Sequence, residues 1–582
     1  MQKSSEKIIT LPLVVAVTGH RNLVDVELES IRARIKNLLL ELRESYPANP
    51  LMLMSALAEG ADMLAAEVAI ELKIDLIVPL PKPLESYLLD FRNDQTRQQF
   101  QTLCSQAKQV FELANGKPPA PEGVDAAKWE NDYPYAHLGT YLSAHCHVLL
   151  ALWDGKPSSH LGGTAQVVKF HHDKVMPGIT PNTVATQQML VDDESDLVFH
   201  IVCSRNRRDS EPHPDHIPLD WCWYTKDEDQ PRSKKLPAQH ELIFQRSAEF
   251  GVDARKFSAQ IATEKSSLIV ENTETEFPDG VDLVDQLYSA ADWLAIHYQR
   301  KTLRTLFVTH MMAFLMGLMF ILYSDMESWR YLLLAFLGFF VVAVGAHSLA
   351  KRGSWQRKYL DYRTLAEGLR VQFYWAVAGV TDEDRWKFAH DSYLQSQNPE
   401  FGWIRNVMRV AGIRCDACPN RDPMGVAFTV REWVGAPDRG QLGYFKRRAR
   451  ERIKRHELTE KLGRLSLFVS VLTVFIFIFA GSQMTESVRI FFTVIMGATL
   501  LLYGVREGYA YATATKELIK QYEFMLRIFD NAHRRLSQTQ SAEELRQILS
   551  ALGKSALDEH SDWILMHRER SLDESEIWRM GS

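Results

Sequence analysis

Four apolar segments that lack Asp, Glu, Lys and Arg constrain this sequence most strongly. Residues 305–323 and 331–350 flank the short stretch SDMESWR, and residues 465–482 and 490–505 flank QMTESVR. An α-helix rises about 1.5 Å per residue, so about 18–20 residues cross roughly 30 Å of hydrocarbon. Three segments reach that length, and the fourth extends into its flanks. Because soluble core helices are amphipathic and these are apolar all round, the pattern predicts four transmembrane helices in two hairpins.

Basic residues concentrate at the outer ends of both hairpins. They are Arg300, Lys301, Arg304, Lys351, Arg352, Arg357, Lys358, Lys461, Arg464 and those of the segment FKRRARERIKRHE. The two turns hold only Arg330 and Arg489 as basic residues. The positive-inside rule therefore predicts a multi-pass membrane protein with both termini and residues 351–464 in the cytoplasm. Next to the membrane, the segment FKRRARERIKRHE is expected to attract anionic lipid head groups.

The N-terminal part alternates short β-rich runs with helical patterns. The runs are residues 13–18, 51–55, 74–79, 147–153 and 196–202. Alternation of this kind predicts a parallel sheet with helices on both faces, which is a Rossmann-like α/β domain. In such folds ligands bind at the carboxyl ends of the strands.

Loops rich in glycine and polar residues follow three of the predicted strands. They are Thr18-Gly19-His20-Arg21, the loop from Ser55 through Glu59 and Gly60 to Asp62, and Asp154-Gly155 followed by Gly162-Gly163-Thr164. Glycine lets a backbone approach phosphate closely, and the free amides of a helix N-terminus favour an anion. His20, Arg21 and Thr164 can add hydrogen bonds to that phosphate. Three arginines follow the last run: Arg205, Arg207 and Arg208. They either reach a second phosphate or a neighbouring subunit, or belong to a solvated surface loop.

The sequence SALAEGADMLAA resembles the SGLARGID signature of the DNA-processing protein A family, and the TGHR and GGT loops are similar to those of the wider SLOG superfamily. The resemblance covers roughly residues 10–205 and implies a Rossmann-like pocket for a nucleotide or nucleotide sugar. By this resemblance the pocket is lined by Gly19, His20, Arg21, Ser55, Glu59, Gly60, Asp62, Gly163 and Thr164. Asp154, at the end of the strand before the GGT loop, completes the predicted site.

One position departs from the catalytic members of that superfamily. The LOG phosphoribohydrolases carry PGGxGTxxE, whereas this chain reads HLGGTAQVV, with Val167 in place of the catalytic Glu. Glycosidic cleavage needs a carboxylate, and only Glu59, Asp62 and Asp154 remain as substitutes. We therefore expect a sensor, with no catalytic residue, no required cofactor and no metal site. Cys415 and Cys418 have the spacing of half a zinc site, but no second pair lies nearby.

The membrane half repeats a unit of two spans followed by an amphipathic helix. A helical pattern over residues 282–304 runs straight into the first span, as a coupling rod, and a further helix is predicted near 382–396. The repeated unit resembles the SLATT domains, which accompany SLOG sensors in bacterial conflict systems and are proposed to form membrane pores. Residues 362–370 (YRTLAEGLR) carry that resemblance most clearly. SLOG-like domains also occur at the N-termini of melastatin-type TRP channels.

The sequence accordingly predicts six regions. They are 1–260, a SLOG-like nucleotide-binding domain; 261–304, a coupling helix; 305–376, the first hairpin with its amphipathic helix; 377–464, a cytoplasmic insert; 465–530, the second hairpin with its amphipathic helix; and 531–582, a cytoplasmic helical tail. The net charge of −6 gives no global basic field, so nucleic acid is not expected as a partner.

Three functions stay open at this point. The first is a membrane effector whose head senses a nucleotide-derived ligand and controls a pore. Four spans are too few for one chain to enclose a wide pore, so a homo-oligomer is implied. The second is a membrane-tethered enzyme acting on a nucleotide or nucleotide sugar, and the third is a non-enzymatic membrane scaffold. The ligand classes are cyclic dinucleotides or oligonucleotides, ADP-ribose, NAD and nucleoside monophosphates.

Overall fold

The protein was analysed as a computed structural model, whose described residues comprise two compact units. They run from 10 to 568 without 115, 117, 122, 177–178, 181–195, 207–210, 227–231, 265, 271–274, 326–329, 381–392, 395–398, 419 and 421. One unit is made of Met1–Ala291, Thr364–Ala427 and Leu549–Ser561, and the other of Asp292–Arg363, Phe428–Ile548 and Asp562–Ser582. The first holds the α/β domain, and the second holds the membrane-length helices. Arg207, Arg208 and most of the helix predicted near 382–396 lie outside the described residues.

The first unit contains a mostly parallel sheet. Its described strands are β1 (Leu13–Gly19), β2 (Leu51–Met54), β3 (Asp75–Leu80), β4 (Gln109–Glu112), β5 (Val148–Trp153), β6 (Val198–Val202) and β7 (Trp221–Tyr224). Their order across the sheet is β4-β3-β2-β1-β5-β6-β7, and β7 alone among them runs antiparallel to its neighbour. The predicted α/β fold is confirmed, and all five predicted strands are present. Strands β4 and β7 were not predicted, because they are short edge strands without a long apolar run.

Helices cover the apolar strands of this sheet. The described helices of the first part of the chain are α1 (Leu28–Ser45), α2 (Ala61–Glu71), α3 (Leu84–Leu88), α4 (Asp94–Gln106), α5 (Ala126–His145), α6 (Thr164–Asp173), α7 (Ala238–Lys256) and α8 (Ser258–Thr263). Helix α1 buries Ile31, Ile35, Leu38 and Leu42, which recur every three or four residues and therefore share one face. The amide of Thr96 donates to the Asn93 side chain at the start of α4, so an N-cap fixes where that helix begins.

The strand order creates a crevice beside β1. The chain builds β1 to β4 outward in one direction and then crosses to β5 on the opposite side of β1. Thr18 of β1 pairs with Ala151 of β5, and Gly19 pairs with Leu152. The loops that leave β1 and β5 therefore diverge at the carboxyl edge of the sheet, which is where doubly wound folds bind ligands.

A later chain segment also packs against the α/β core. Helix α12 (Gly402–Gly412) is buried along its whole length. His147 Nε2 lies 3.3 Å from the Asn406 carbonyl oxygen, and His145 Nε2 lies 3.0 Å from a carboxylate oxygen of Asp416. The compact first unit is therefore assembled from distant parts of the sequence.

The predicted boundaries and the compact units divide the chain differently. The boundaries at 260, 304, 376, 464 and 530 are linear, whereas each unit combines three chain segments. Residues 377–464, expected as one insert, contribute to both units.

The second unit contains four helices that are long and apolar enough to cross a membrane. They are α9 (Val281–Asp325, shared with the first unit), α10 (Arg330–Arg352), α14 (Gly440–Ala480) and α15 (Glu486–Ala512). The other described helices of this part of the chain are α11 (Trp355–Ala378), α13 (Pro423–Thr429), α16 (Thr515–Gln538) and α17 (Ala542–Arg568). Helix α9 includes both the predicted coupling helix and the first predicted span without a break, as the sequence pattern indicated.

In the apolar part of α14, small and polar residues are buried and large apolar residues are exposed, which is the reverse of a helix in a soluble protein. Its buried positions there are Gly463, Ser466, Ser470 and Thr473, and its exposed positions include Leu465, Phe468, Leu472, Phe475 and Phe479. The Ser470 hydroxyl lies 2.6 Å from the Thr499 hydroxyl of α15. Small and polar residues at the contact, with large apolar residues outside, are the arrangement expected in lipid.

Candidate functional site

The loop after β1 and the start of α2 meet backbone to backbone. The Ala61 amide donates to the His20 carbonyl oxygen at 3.1 Å. A methyl group on Gly19 would lie 2.3 Å from the Ala61 Cβ, and one on Gly60 would lie 2.6 Å from the carbonyl oxygens of His20 and Arg21. Gly60 also has a φ of +83°, which L side chains rarely adopt. Both predicted glycines are thus required by the close approach of these two loops.

His20 and Asp154 bridge the crevice between β1 and β5. The His20 Nε2 atom lies 3.0 Å from the Asp154 amide nitrogen and 3.2 Å from its Oδ1 atom. When His20 is neutral, this nitrogen accepts a hydrogen bond from the Asp154 amide. When His20 is protonated, the same nitrogen donates a hydrogen bond to the Asp154 carboxylate. Burial alone would raise the pKa of Asp154. The net effect is nevertheless a lowered pKa, because the ionised carboxylate is stabilised by the hydrogen bond and charge of His20, by the Lys156 amide and by the charge of Arg205. Asp154 is therefore an ionised anchor for the loops on both sides of the crevice.

Asp62, one of the three carboxylates that the sequence left as substitutes, has a raised pKa. Asp62 is 7 % exposed. Burial raises its pKa to about 7, although the Ala58 backbone and the charge of Arg21 act in the opposite direction. Glu59 instead accepts hydrogen bonds from the Arg92 amide and the Thr96 hydroxyl, both at 2.8 Å. A carboxyl group poised near neutral pH is a candidate for acid–base chemistry or for a hydrogen bond to a ligand.

Ser55 supports the turn between β2 and α2. Its hydroxyl accepts from the Leu57 amide at 3.1 Å and faces the Asp62 carbonyl oxygen at 3.3 Å. Its side chain is fully buried. The predicted ligand Ser55 is therefore committed to backbone contacts within its own loop.

An aromatic and cationic cluster surrounds Arg21. The exposed guanidinium of Arg21 lies 5.3 Å from the centre of the Tyr135 ring, and the Lys82 Nζ atom lies 4.8 Å from the same ring. Lys82 and the Tyr135 hydroxyl both contact the Asp90 carboxylate. Sequence reasoning missed Lys82 and Tyr135. Lys82 had a usable signal, since it follows β3 at the same edge of the sheet, whereas Tyr135 is an inconspicuous residue within α5.

The GGT loop lies beside this cluster. A methyl group on Gly162, which has a φ of +72°, would lie 2.6 Å from the Ala136 amide nitrogen and 2.8 Å from the Tyr135 Cβ. Gly163 is the N-cap residue of α6, and Thr164 is its first residue. The N-terminus of α6 is thereby held next to the ring that Arg21 covers. Two loops predicted separately are connected through a tyrosine that was not predicted.

Val167 faces the neighbouring helix α5. It is 3 % exposed, and a methyl group on Gly139 would lie 2.6 Å from its Cγ2 atom. The position that aligns with the LOG glutamate therefore belongs to the helix–helix contact here. A glutamate at this position would be buried against α5.

A groove lies elsewhere, between α2 and α4. Its volume is about 540 Å³, and its lining includes Glu67, Glu71, Gln95, Gln98, Gln99 and Gln106. Two of these are paired, Glu67 with Arg32 and Glu71 with Lys36. None of the predicted site residues lines it. We assign the candidate site to the carboxyl edge of the sheet, because ligand-binding chemistry is concentrated there.

At the candidate site Arg21 is exposed, and Lys82 and Tyr135 are half-buried beside it. Arg21 and Lys82 can bind phosphate, and Tyr135 offers a flat apolar surface between them. Within the described chain, His, Cys, Asp and Glu side chains form no group of three or more that could hold a metal ion. A scan against protein-family models and a search of curated proteins found no match to this chain.

Proposed function

We propose that this chain is a membrane effector whose cytoplasmic α/β head binds a nucleotide-derived ligand and controls an oligomeric transmembrane pore or membrane-disrupting assembly in bacterial defence. The observation that carries the proposal is the convergence of Arg21, Lys82, Tyr135 and Asp62 at the crevice of a doubly wound sheet. The same chain contains four membrane-length helices.

The chemistry of the site favours a phosphorylated ligand. Arg21 is exposed and stacked on Tyr135, so its position is restricted before a ligand arrives. Glycine loops surround it, and they allow backbone amides to approach phosphate oxygens. Tyr135 suits the flat face of a base or sugar, which is the other component of a nucleotide.

Helix α9 is the proposed route from the head to the spans. It begins at Val281 and continues through the first span to Asp325. The motif at 362–370 supports this helix from α11, because Arg363 Nη1 lies 3.2 Å from an Asp292 oxygen and Arg370 Nη2 lies 2.9 Å from the Tyr288 hydroxyl. A ligand-induced shift of α9 would therefore displace the first span.

Oligomer formation, orientation and lipid contacts belong to the same proposal. Both termini face the cytoplasm, in line with the basic residues outside the hairpins. Exposed cations of α14, including Arg447, Arg450 and Arg455, meet anionic head groups. Several copies together enclose the pore, since four helices per chain enclose too little space.

The first test is a thermal-shift screen of the full chain in nanodiscs against AMP, NAD, ADP-ribose and cyclic di-AMP, with the mass of each recovered ligand checked. A stabilising ligand should be returned intact and should release dye from liposomes that contain the protein. Arg21→Gln should abolish the shift, whereas Arg34→Gln, which removes an exposed arginine from α1, should preserve it. Protein that binds none of these ligands and leaves liposomes sealed would refute the proposal.

A membrane-tethered enzyme is the second candidate, and Asp62 is the observation that favours it. Its pKa of about 7 would let the carboxyl group transfer a proton at neutral pH. In that case the recovered ligand should be cleaved by the unmodified chain and intact after incubation with Asp62→Asn. Equal cleavage by both proteins would exclude Asp62 as the acid.

A further inference from the structure

A second polar cluster lies on the far side of the Asp154–Gly155 loop from Arg21. Gly155 has a φ of +76°, and a methyl group there would lie 2.2 Å from the His216 ring. The same loop accepts the His213 amide at the Asp154 carbonyl oxygen, 2.8 Å away. The loop after β5 therefore separates His20 on one side from His216 on the other.

Arg232 is the centre of this cluster. Its Nη1 atom lies 3.3 Å from His200 Nδ1 and 3.3 Å from His216 Nε2, and its guanidinium carbon lies 4.4 Å from the centre of the Tyr224 ring. A guanidinium can only donate, so both imidazole nitrogens must accept. His200 then carries its proton on Nε2, which lies 3.0 Å from the Trp153 carbonyl oxygen. Burial, together with the charge of Arg232, lowers the pKa of His200 to about 4, so it stays neutral at physiological pH.

The charge of Arg232 is not neutralised by these contacts. Its hydrogen-bond partners His200 and His216 are neutral, and no carboxylate among the described residues forms an ion pair with it. Arg232 is also exposed, so its remaining N–H donors can reach an incoming ligand. By contrast, neighbouring Lys234 contacts the Asp220 carboxylate. Two neutral rings thus hold an arginine in place and leave its charge available.

We propose that Arg232 forms a second anion subsite and that the ligand carries two phosphate groups, one near Arg21 and one near Arg232. This inference rests on the proposed nucleotide-binding function. Arg21 follows β1 and Arg232 contacts His200 of β6, and these two strands lie on either side of β5 in the sheet. Ligands of doubly wound folds bind at the point where the strand order reverses, which is between β1 and β5. Among the described residues, an anion arriving at Arg232 has no ion pair to displace. The ligand class is therefore a dinucleotide or another nucleotide derivative with two phosphate groups.

The experiment measures binding of AMP, NAD and cyclic di-AMP to the full chain in nanodiscs by calorimetry. The variants are Arg232→Gln, Arg232→Lys and the matched control Lys234→Gln, which removes a nearby cation that already has a carboxylate partner. Loss of a charge-assisted hydrogen bond should weaken binding of a two-phosphate ligand roughly tenfold or more in Arg232→Gln. AMP binding should not change, Arg232→Lys should be intermediate, and Lys234→Gln should match the unmodified protein.

The results separate this inference from the function on which it rests. Two-phosphate ligands that bind Arg232→Gln as tightly as the unmodified chain, and still require Arg21, would overturn the second subsite and leave the proposed function intact. Equal loss of AMP and two-phosphate binding in Arg232→Gln would also overturn it, because Arg232 would then act on the fold. If the unmodified chain binds neither NAD nor cyclic di-AMP, the second subsite is overturned, and if it also binds neither AMP nor ADP-ribose and leaves liposomes sealed, the proposed function fails with it.

Discussion

Replacing Asp62 by Asn tests whether a carboxylate is held near its ionisation point at the candidate site. Asparagine has nearly the same shape, accepts a hydrogen bond from the Ala58 backbone and cannot ionise. Asp62 is 7 % exposed, and its pKa is raised from 3.8 to about 7 by burial. Since the folded pKa lies above the unfolded one, the stability that Asp62 supplies is complete below pH 3.8 and is lost as the pH rises to about 7.

The expected size of the effect follows from that shift. With pKa values of 3.8 and about 7, ionisation favours the unfolded state by about 2 kcal/mol at pH 5 and about 4 kcal/mol at pH 8. The stability difference between Asp62→Asn and the unmodified chain should therefore grow by about 2–3 kcal/mol over this range, or on the order of 100-fold in the opening equilibrium. Any pH-independent effect of the substitution cancels in that comparison.

The assay is hydrogen exchange of the α2 amides in the full chain, measured by mass spectrometry at pH 5 and pH 8. Protection of α2 by Asp62→Asn, relative to the unmodified protein, should be much greater at pH 8 than at pH 5. Glu44→Gln, which removes an exposed carboxylate at the end of α1, serves as the control and should give no such trend. A protection ratio for Asp62→Asn that is equal at both pH values would refute the assignment of a raised pKa.

Three further predictions concern packing and pH. Gly60→Ala should destabilise the head by about 1–3 kcal/mol more than Gly123→Ala in thermal unfolding. Both glycines have a φ of +83°, but only at Gly60 would the added methyl group meet described atoms within 4 Å. Equal losses of stability in the two variants would contradict the role of the loop contact. Val167→Glu should cost about 3–5 kcal/mol and create no hydrolase activity, because the carboxylate would be buried against α5; nucleotide cleavage by this variant would disprove that orientation. His147 is 4 % exposed, and burial lowers its pKa from 6.5 to about 3. As the pH falls, this histidine is therefore protonated in the unfolded chain before it is protonated in the folded one, which destabilises the fold by about 2 kcal/mol at pH 5. His147→Asn should remove that component from the pH dependence of β1 exchange, and an unchanged dependence would show that His147 is not its source.

Part of the candidate site was predictable because its signal is local. A glycine that closes a loop after a strand is visible in the sequence. Gly19 and Gly60 were predicted for the approach of a phosphate, and in the structure the contact between their two loops requires them. The position of Arg21 after β1 likewise followed from the strand pattern. The role of Ser55 did not, because a hydroxyl that supports its own turn and one that faces a ligand have the same sequence context.

Other parts of the site depend on contacts between distant segments. Tyr135 lies within α5, and only the packing of that helix brings its ring to Arg21. The cluster at Arg232 forms only when His200 of β6 and His216 of the segment after β6 are brought beside it. No local pattern in the sequence marks either residue.

The sequence by itself determined the four membrane-length helices and the α/β class of the N-terminal part. Both depend on periodicity and hydropathy over short windows, which act through local hydrogen bonding and solvent transfer. The tertiary structure alone decided that residues 364–427 join the first unit, that Val167 faces α5 and that His20 meets Asp154 across the crevice. These features arise from long-range packing, in which a side chain acquires its partners only after the strands have taken their order in the sheet.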